Sequence, residues 1–215
     1  MLKKFLNREK GITGLETAII LIAFVVVAAV FAYTTLSAGL FSTQKAQEAV
    51  YSGLKEAQST LELKGNVIAT ANTTGFTGTI KQISFTLANV LGGEMIDFTP
   101  PTAASDNTGV AADNSANKVV INYVDKEQTV NDLYWTITKL GGSDEDDLLE
   151  NNEKFKLTIG SDNESIGGGN LMDAMTSSNL SINTEFSLIV NTPVGAVLEI
   201  ERTTPAYIDA IMNLR

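Results

Sequence analysis

The sequence predicts an α+β protein in which one long, apolar N-terminal α-helix is followed by an antiparallel β-sandwich. Three observations indicate this fold. No charged residue occurs from Thr17 to Gln44, a stretch longer than the roughly 20 residues that a bilayer-spanning helix needs. Beyond Gly65 the composition changes to short runs rich in Thr, Asn, Gly and Val. Clusters of turn-forming residues separate these runs, as they do between the strands of a sandwich.

Charge separates the first residues from the rest of the chain. Residues 1–11 hold four positive charges and one negative charge, Lys3, Lys4, Arg8 and Lys10 against Glu9, whereas the whole chain has a formal charge of −10 at pH 7. The basic part and the acidic part therefore need not act in the same place. The overall acidity argues against nucleic acid as a partner, because a phosphate backbone repels an acidic surface.

The residue types limit the chemistry that the chain can perform. It contains no Cys and no His, which excludes disulfides, thiol nucleophiles, imidazole bases and the commonest zinc ligands. No nucleophile and base stand at the spacing of a catalytic motif. We therefore predict that the protein is not an enzyme and that it requires no cofactor.

The apolar N-terminal run admits three interpretations. A secretory signal peptide would have a shorter apolar region that ends at a cleavage site of small residues. A permanent membrane anchor fits the length, and its basic flank would lie on the cytoplasmic side. In the third interpretation, a leader of residues 1–11 is removed by a cut between Gly11 and Ile12, and the apolar helix stays with the mature protein.

The helix is predicted to continue past the apolar run. Val50, Leu54, Ala57 and Leu61 recur at steps of four and three residues, which gives a one-sided apolar stripe. We therefore predict a helix over residues 12–63 and a β-domain over residues 64–215. The first half of the helix is apolar on every face, so it must be buried all round, in lipid or among copies of itself.

The start of this helix carries a capping signal. Thr13 and Glu16 form a T-x-x-E box, in which the two side chains satisfy the first free backbone amides of a helix. The carboxylate of Glu16 would also meet the positive end of the helix dipole.

The same residues resemble a known family. The pattern KGITGLE ahead of an apolar helix resembles the class III signal peptide of type IV pilin-like proteins. Its continuation, LETAIILIAFVVVAAVFAYTTLSAGLFSTQKAQEAV, is similar to the archaeal flagellins, or archaellins, over residues 8 to about 60. A weaker similarity lies in NTPVGAVLEIERTTPAYIDAIM near the C-terminus.

The resemblance implies a membrane-inserted precursor that a prepilin-type peptidase cuts between Gly11 and Ile12, with a secretion ATPase and a membrane platform as further partners. It also implies that Glu16 pairs with the N-terminal amine of a neighbouring subunit during assembly. The product would be a homopolymer, the extracellular filament of the archaeal flagellum, with the apolar helices in its core. The candidate packing residues in that core are Ile19, Ile20, Ile22, Phe24, Val27, Val30, Phe31, Leu36, Leu40 and Phe41.

Six runs in the second part of the chain read as β-strands. They are rich in β-branched and aromatic residues, and Phe155, Leu157 and Ile159 alternate with polar residues as in a strand with one buried face. Trp135 is expected in the core, as in an immunoglobulin-like sandwich, although no Cys pair accompanies it. The six predicted strands are 80–87, 118–124, 134–140, 155–159, 185–190 and 197–201.

An acidic loop, SDEDDLLENNE, follows the third of these strands. Asp144, Asp146 and Asp147 are candidate oxygen ligands for Ca²⁺ or Mg²⁺. The spacing is not that of an EF-hand, and no glycine stands at the required place in the loop. A solvated acidic loop is therefore favoured over a metal site.

Three Asn-x-Ser/Thr sequons occur, at Asn72, Asn163 and Asn179. About three are expected by chance in a chain so rich in these residues, so their number is not informative. The family resemblance implies N-linked glycans. Asn72 and Asn163 are expected in loops, and Asn179 is expected near the start of a strand.

Three functions remain open at this level. The favoured one is a structural subunit of a rotating archaeal swimming filament, which can also have an adhesive role. The second is an archaeal type IV adhesion pilin, for which the leader and helix would look alike. The third and least favoured is a single-pass, membrane-anchored surface binding domain, which would not need a helix longer than the bilayer.

Overall fold

The computed structural model describes residues 2–58, 61–90, 94–161, 167–193 and 197–214, and within the helix it describes the side chains of residues 14–54. The chain forms two compact units, residues 1–52 and residues 53–215. The first unit consists of helix. The second holds the end of that helix and the β-domain.

Helix α1 extends from Leu2 to Gln58, which corrects the prediction at both ends. The helix begins eleven residues ahead of Thr13, because residues 2–12 include Leu, Lys and Arg, which favour a helix. Thr13 is therefore interior in this chain, and the predicted capping box does not lie at a helix start. Residues 61–63, predicted as helix, form a strand.

Leu61 shows why the helix stops early. The predicted stripe placed it on the apolar face of the helix, but it is buried in the β-domain. The segment Leu61–Leu63 pairs with Leu87–Asn89. Backbone pairing at the edge of a buried core therefore outweighs the helical periodicity of the sequence.

Twelve strands and a second short helix are described. The six predicted strands are confirmed, each end to within two residues; the seven-residue strand Val67–Thr73 and five strands of two to four residues were not predicted. The elements are β1 (Leu61–Leu63), β2 (Val67–Thr73), β3 (Thr79–Asn89), β4 (Ile96–Asp97), β5 (Val120–Asp125), β6 (Thr129–Val130), β7 (Trp135–Leu140), β8 (Leu148–Leu149), β9 (Lys154–Ile159), α2 (Leu171–Ala174), β10 (Glu185–Asn191), β11 (Leu198–Thr203) and β12 (Ile211–Leu214).

These strands form two main antiparallel sheets and one small one. The six-stranded sheet has the order β12-β2-β3-β9-β7, with β1 also paired to β3; the four-stranded sheet has the order β11-β10-β5-β6; and β4 pairs with β8. Buried side chains of the two main sheets belong to one hydrophobic cluster, so the sheets face each other across a shared core. The antiparallel sandwich predicted from the sequence is thus confirmed.

The centre of the core contains the predicted residues. Phe155, Leu157 and Ile159 are fully buried on β9, and Trp135 is fully buried at the start of β7. The ring of Phe98 packs edge-on against Trp135 at 6.1 Å and against Phe155 at 6.0 Å. Edge-to-face pairs of this kind stabilise a core beyond the area that they bury.

The three glycines at 167–169 form a close backbone contact. Gly169 has φ +73°, and a Cβ there would lie 2.3 Å from the carbonyl oxygen of Asn107. The Asn107 side chain accepts a hydrogen bond from the backbone N–H of Gly168 at 2.8 Å. The sequence predicts no more than a loop here. In the structure the glycines allow this loop to pack closely against the loop that contains Asn107.

We expect Leu157→Ala to lower the free energy of unfolding by about 2–5 kcal/mol, since it opens a cavity in the core. Trp135 is the single Trp of the chain, so its fluorescence during denaturant titration of detergent-solubilised protein reports unfolding of the β-domain. Met95→Ala is the matched control, because Met95 is exposed and should change stability by less than about 0.5 kcal/mol. Equal losses in the two variants would contradict the assigned core.

Candidate assembly surface

The surface of α1 between residues 14 and 54 is apolar and uncovered. All ten predicted packing side chains are exposed by 55–77%. The sequence prediction omitted Leu21, Val25, Val26 and Tyr33 of the same uncharged run and Leu15 ahead of it, which are exposed to the same degree. The apolar surface thus covers the whole circumference of the helix rather than one stripe.

The hydroxyl groups on this helix bond to its own backbone. Thr17 donates to the carbonyl oxygen of Gly14 at 3.0 Å, and Thr43 donates to that of Leu40 at 2.9 Å. Thr34 and Thr35 both donate to the carbonyl oxygen of Phe31, at 2.9 and 2.7 Å. Because these hydroxyls need no water, the helix can be surrounded by apolar groups without leaving them unsatisfied.

Charge appears only at the two ends of the apolar run. Glu16 is exposed at the first end, and among the described side chains no cation pairs with it. At the other end, Lys45 forms an ion pair with Glu48 at 2.6 Å. Gly11, Ile12 and Thr13 lie within the helix, but their side chains are outside the described residues. The predicted cut and the role of Glu16 therefore stay predictions.

By length and composition, the helix is sufficient to cross a membrane within residues Gly14–Leu54, and its apolar part is not buried within the chain. Leaving such a surface in water is costly, at roughly 1.5–3 kcal/mol for each large apolar side chain. It must therefore be covered by lipid or by other protein. The uncharged run Thr17–Gln44 is longer than the roughly 20 residues that a bilayer needs.

The acidic loop does not bring the three metal candidates together. Asp144 Oδ1 accepts from the backbone N–H of Asp146 at 3.1 Å, and Asp146 Oδ1 accepts from that of Leu148 at 2.9 Å. Asp147 forms an ion pair with Lys139 at 3.1 Å. Among the described residues no group of three or more acidic side chains could hold a metal ion. The carboxylates instead shape the loop that joins β7 to β8.

The predicted positions of two sequons are wrong. Asn72 lies in β2, although its side chain is exposed, and Asn179 lies in an exposed loop ahead of β10 rather than in a strand. Asn163 is outside the described residues. The error at Asn72 arises because β2, with the sequence VIATANT, contains few of the large residues that mark a strand.

A polar cleft of about 680 Å³ lies beside Asn179. Its walls include the ends of β5 and β10 and carry Asp125, Glu127, Glu185 and Glu201. The hydrogen bond and the negative charge of Glu185 raise the pKa of the Glu201 carboxyl above its ordinary value. No sequence pattern indicated this cleft, because its residues come from three separated parts of the chain, 124–127, 178–187 and Glu201.

Asp125 organises one wall of the cleft. Burial opposes its charged form, but hydrogen bonds outweigh this effect and hold its pKa below the ordinary value. The donors include the hydroxyl of buried Tyr123 at 2.8 Å and the backbone N–H groups of Glu127 and Gln128 at 2.7 and 2.8 Å. Burial and Asp125 together raise the pKa of Tyr123, which therefore stays protonated as the donor.

Taken together, these features define a class of protein. A β-domain with its own buried core is joined to a helix whose described surface, residues 14–54, is exposed and largely apolar, and the described residues form no catalytic constellation. Such a surface is typical of a protein that works in a membrane or in a larger assembly.

Comparison with known proteins identifies the family. The sequence model of archaeal-type flagellin matches residues 11–202, and the chain therefore belongs to the archaeal-type flagellin family. A probable flagellin of Archaeoglobus fulgidus is 39% identical over 215 residues, which is 98% of each chain.

Solved structures agree with this assignment. The subunit in the archaeal flagellum of Methanospirillum hungatei strain JF1 is similar with a TM-score of 0.61 at 28% identity, over 94% of this chain and 98% of that one. A flagellin crystal structure from Methanocaldococcus jannaschii shares the fold, with a TM-score of 0.50 at 11% identity over 72% of this chain and 95% of that one. The flagellin family is structural, so the chain is a filament subunit and not an enzyme.

The hydrogen bonds to Asp125 predict an acid-dependent stability. A carboxyl with a lowered pKa stabilises the fold above its unfolded-state pKa of about 3.9, and this contribution is lost as the pH falls through the lower, folded-state value. We expect Asp125→Asn to unfold at lower denaturant concentration than the parent at pH 7, with the difference shrinking below about pH 4. Trp135 fluorescence during denaturant titration reports the unfolding of both proteins. A difference that stays constant down to pH 2 would contradict this role of the Asp125 charge.

Proposed function

We propose that the chain is made as a membrane-inserted precursor, cut between Gly11 and Ile12, and then polymerised through α1 into an extracellular archaeal flagellar filament that rotates for swimming. The β-domains would lie on the outside of this filament. The observation that carries the proposal is the exposed apolar surface of the uncharged run Thr17–Gln44, on a helix that continues to Gln58 and so extends beyond the roughly 20 residues that a bilayer requires.

Packing among copies is the cover that best fits this surface. Lipid can replace water around roughly 20 residues of the helix, but the rest of the uncharged run Thr17–Gln44 would stay exposed in a monomeric anchored protein. Neighbouring helices can cover the full length. The self-satisfied Thr hydroxyls allow the helix to move from lipid to protein surroundings without a change in its hydrogen bonds.

Glu16 is assigned the pairing role in this assembly. It would be buried near the start of the core, and a buried, unpaired carboxylate costs several kcal/mol. Cleavage after Gly11 creates a free amine at Ile12, four residues before Glu16 in the chain. The amine of a neighbouring copy would supply the missing positive charge.

Other proteins must carry out the steps that the subunit cannot. By family resemblance, we assign the cut to a prepilin-type peptidase, and extraction and polymerisation to a secretion ATPase with a membrane platform. N-linked glycans at Asn72, Asn163 or Asn179 belong to the same proposal. The family match over residues 11–202 favours the swimming filament over an adhesion pilin.

The first test is the N-terminus of the native protein. Mass spectrometry of sheared surface filaments should find a peptide that starts at Ile12.

Gly11→Val should block the cut, because it places a β-branched side chain at the cleavage position, and precursor should accumulate in the membrane. Gly14→Val is the matched control, since Gly14 has open space around its Cα and lies outside the proposed cut. Normal filaments from Gly11→Val would remove the assigned cleavage site.

The second test separates pairing from helix capping at Glu16. Glu16→Ala and Glu16→Gln should both be cut normally, because the change lies beyond the cleavage position. Both should form few or no filaments, since neither can neutralise the new amine. Mass spectrometry of the N-terminal peptide measures cleavage, and electron microscopy measures filament formation. If Glu16→Gln formed filaments like the parent, the carboxylate charge would be dispensable and Glu16 would act only as a cap.

A further inference from the structure

An exposed apolar patch lies along one edge of the six-stranded sheet. The rings of Phe76 and Tyr207 pack edge-on with centroids 5.1 Å apart. Phe76 is 72% exposed and Ile211, further along the same edge, is 69% exposed. We call Phe76, Tyr207 and Ile211 the edge patch.

Backbone pairing places the three side chains along one line. Gly75 bridges to Ile208, the N–H of Ala71 donates to the carbonyl oxygen of Ala210 at 3.0 Å, and Ile211 pairs with Thr70. The segment 207–214 thus runs antiparallel to β2 and the turn after it. Because β12 pairs only with β2 among the described strands, its other side is open.

The edge strands β11, β7 and β6 have features that hinder pairing with other molecules. Strand β11 carries Glu199, Glu201 and Arg202, and β7 carries Lys139, which pairs with Asp147. Strand β6 has only two residues. Charge and shortness are devices that keep edge strands from pairing with other molecules.

The edge at β12 has almost no such protection. Residues 65–80 contain no charged residue, and residues 203–214 contain one, Asp209. Exposed apolar side chains on an unprotected edge usually mark an interaction site.

The charge of the chain indicates what covers the patch. With a formal charge of −10, copies of the chain repel one another over most of their surface. Two copies can approach more closely where charge is sparse, and the edge patch, which has Asp209 as its one nearby acidic residue, is such a place. A basic partner would be drawn to the acidic faces instead. Assembly through α1 also brings other copies of the β-domain to high local concentration.

We propose that the edge patch is a second contact between subunits, which docks on another copy of the same chain in the filament. This inference rests on the proposed filament function. The contact joins the patch to a different surface of the next copy, because a head-to-tail contact can repeat along a helical assembly whereas a self-complementary one closes into a dimer. The contact would hold the β-domains of neighbouring copies together after α1 has brought them close to one another.

The direct test is photo-crosslinking in assembled filaments. A photoreactive benzophenone amino acid in place of Tyr207 should give a two-chain product in sheared filaments on irradiation, and peptide mapping should show two copies of this chain. The same amino acid in place of Glu199, on a charged edge, is the control and should give much less of this product. A product with a different protein, or equal yields at both positions, would overturn the proposal.

A substitution test measures what the contact contributes. The triple variant Phe76→Ser, Tyr207→Ser, Ile211→Ser should form filaments that release subunits on heating about tenfold faster or more, since buried aromatic anchors dominate interface energies. Met95→Ser is the matched control, an exposed apolar residue outside the patch, and should leave the rate unchanged. Trp135 fluorescence checks that each β-domain is folded.

The outcomes distinguish the edge contact from the proposed filament function. Filaments of the triple variant that are folded and as heat-stable as the parent would refute the edge contact while leaving assembly through α1 intact. Absence of filaments from the parent chain in surface material would refute the proposed function itself.

Discussion

The uncharged surface of α1 is the constraint on which the rest of the structure depends. From Thr17 to Gln44 the helix offers only apolar and uncharged polar side chains, and the hydrophobic effect penalises every one of the large ones in water. Its Thr hydroxyls donate to carbonyl oxygens of the same helix, so these hydroxyls gain little from contact with water. Such a helix is stable only with cover on all sides.

The need of this helix for cover explains why the chain is divided into two units. The β-domain buries its own hydrophobic core and exposes most of its carboxylates. Between residues 14 and 54 the helix buries no side chain. The β-domain therefore has a core of its own, whereas the helix needs cover from outside the chain. The chain belongs to the archaeal-type flagellin family, and in the proposed filament neighbouring helices would supply that cover.

The sequence predicted the features that depend on local patterns. The uncharged run, six of the seven strands of six or more residues and the buried positions of Trp135 and Leu157 all followed from composition and alternation. The helix boundaries were wrong because they depend on context: the helix begins in a leader that is proposed to be removed, and Leu61 is drawn into a sheet by Asn89, which lies 28 residues away in the chain. Asn72 was misplaced because β2 is held by two neighbouring strands rather than by its own propensity.

The most direct test of this account is the accessibility of the helix in the assembled filament. The chain has no Cys, so Phe31→Cys gives a single thiol at the middle of the apolar run, and Met95→Cys gives one on the β-domain. The account predicts that a water-soluble maleimide labels Met95→Cys in intact filaments but labels Phe31→Cys only after the filaments are dissolved in detergent. Equal labelling of the two thiols in intact filaments would contradict burial of α1 in a filament core.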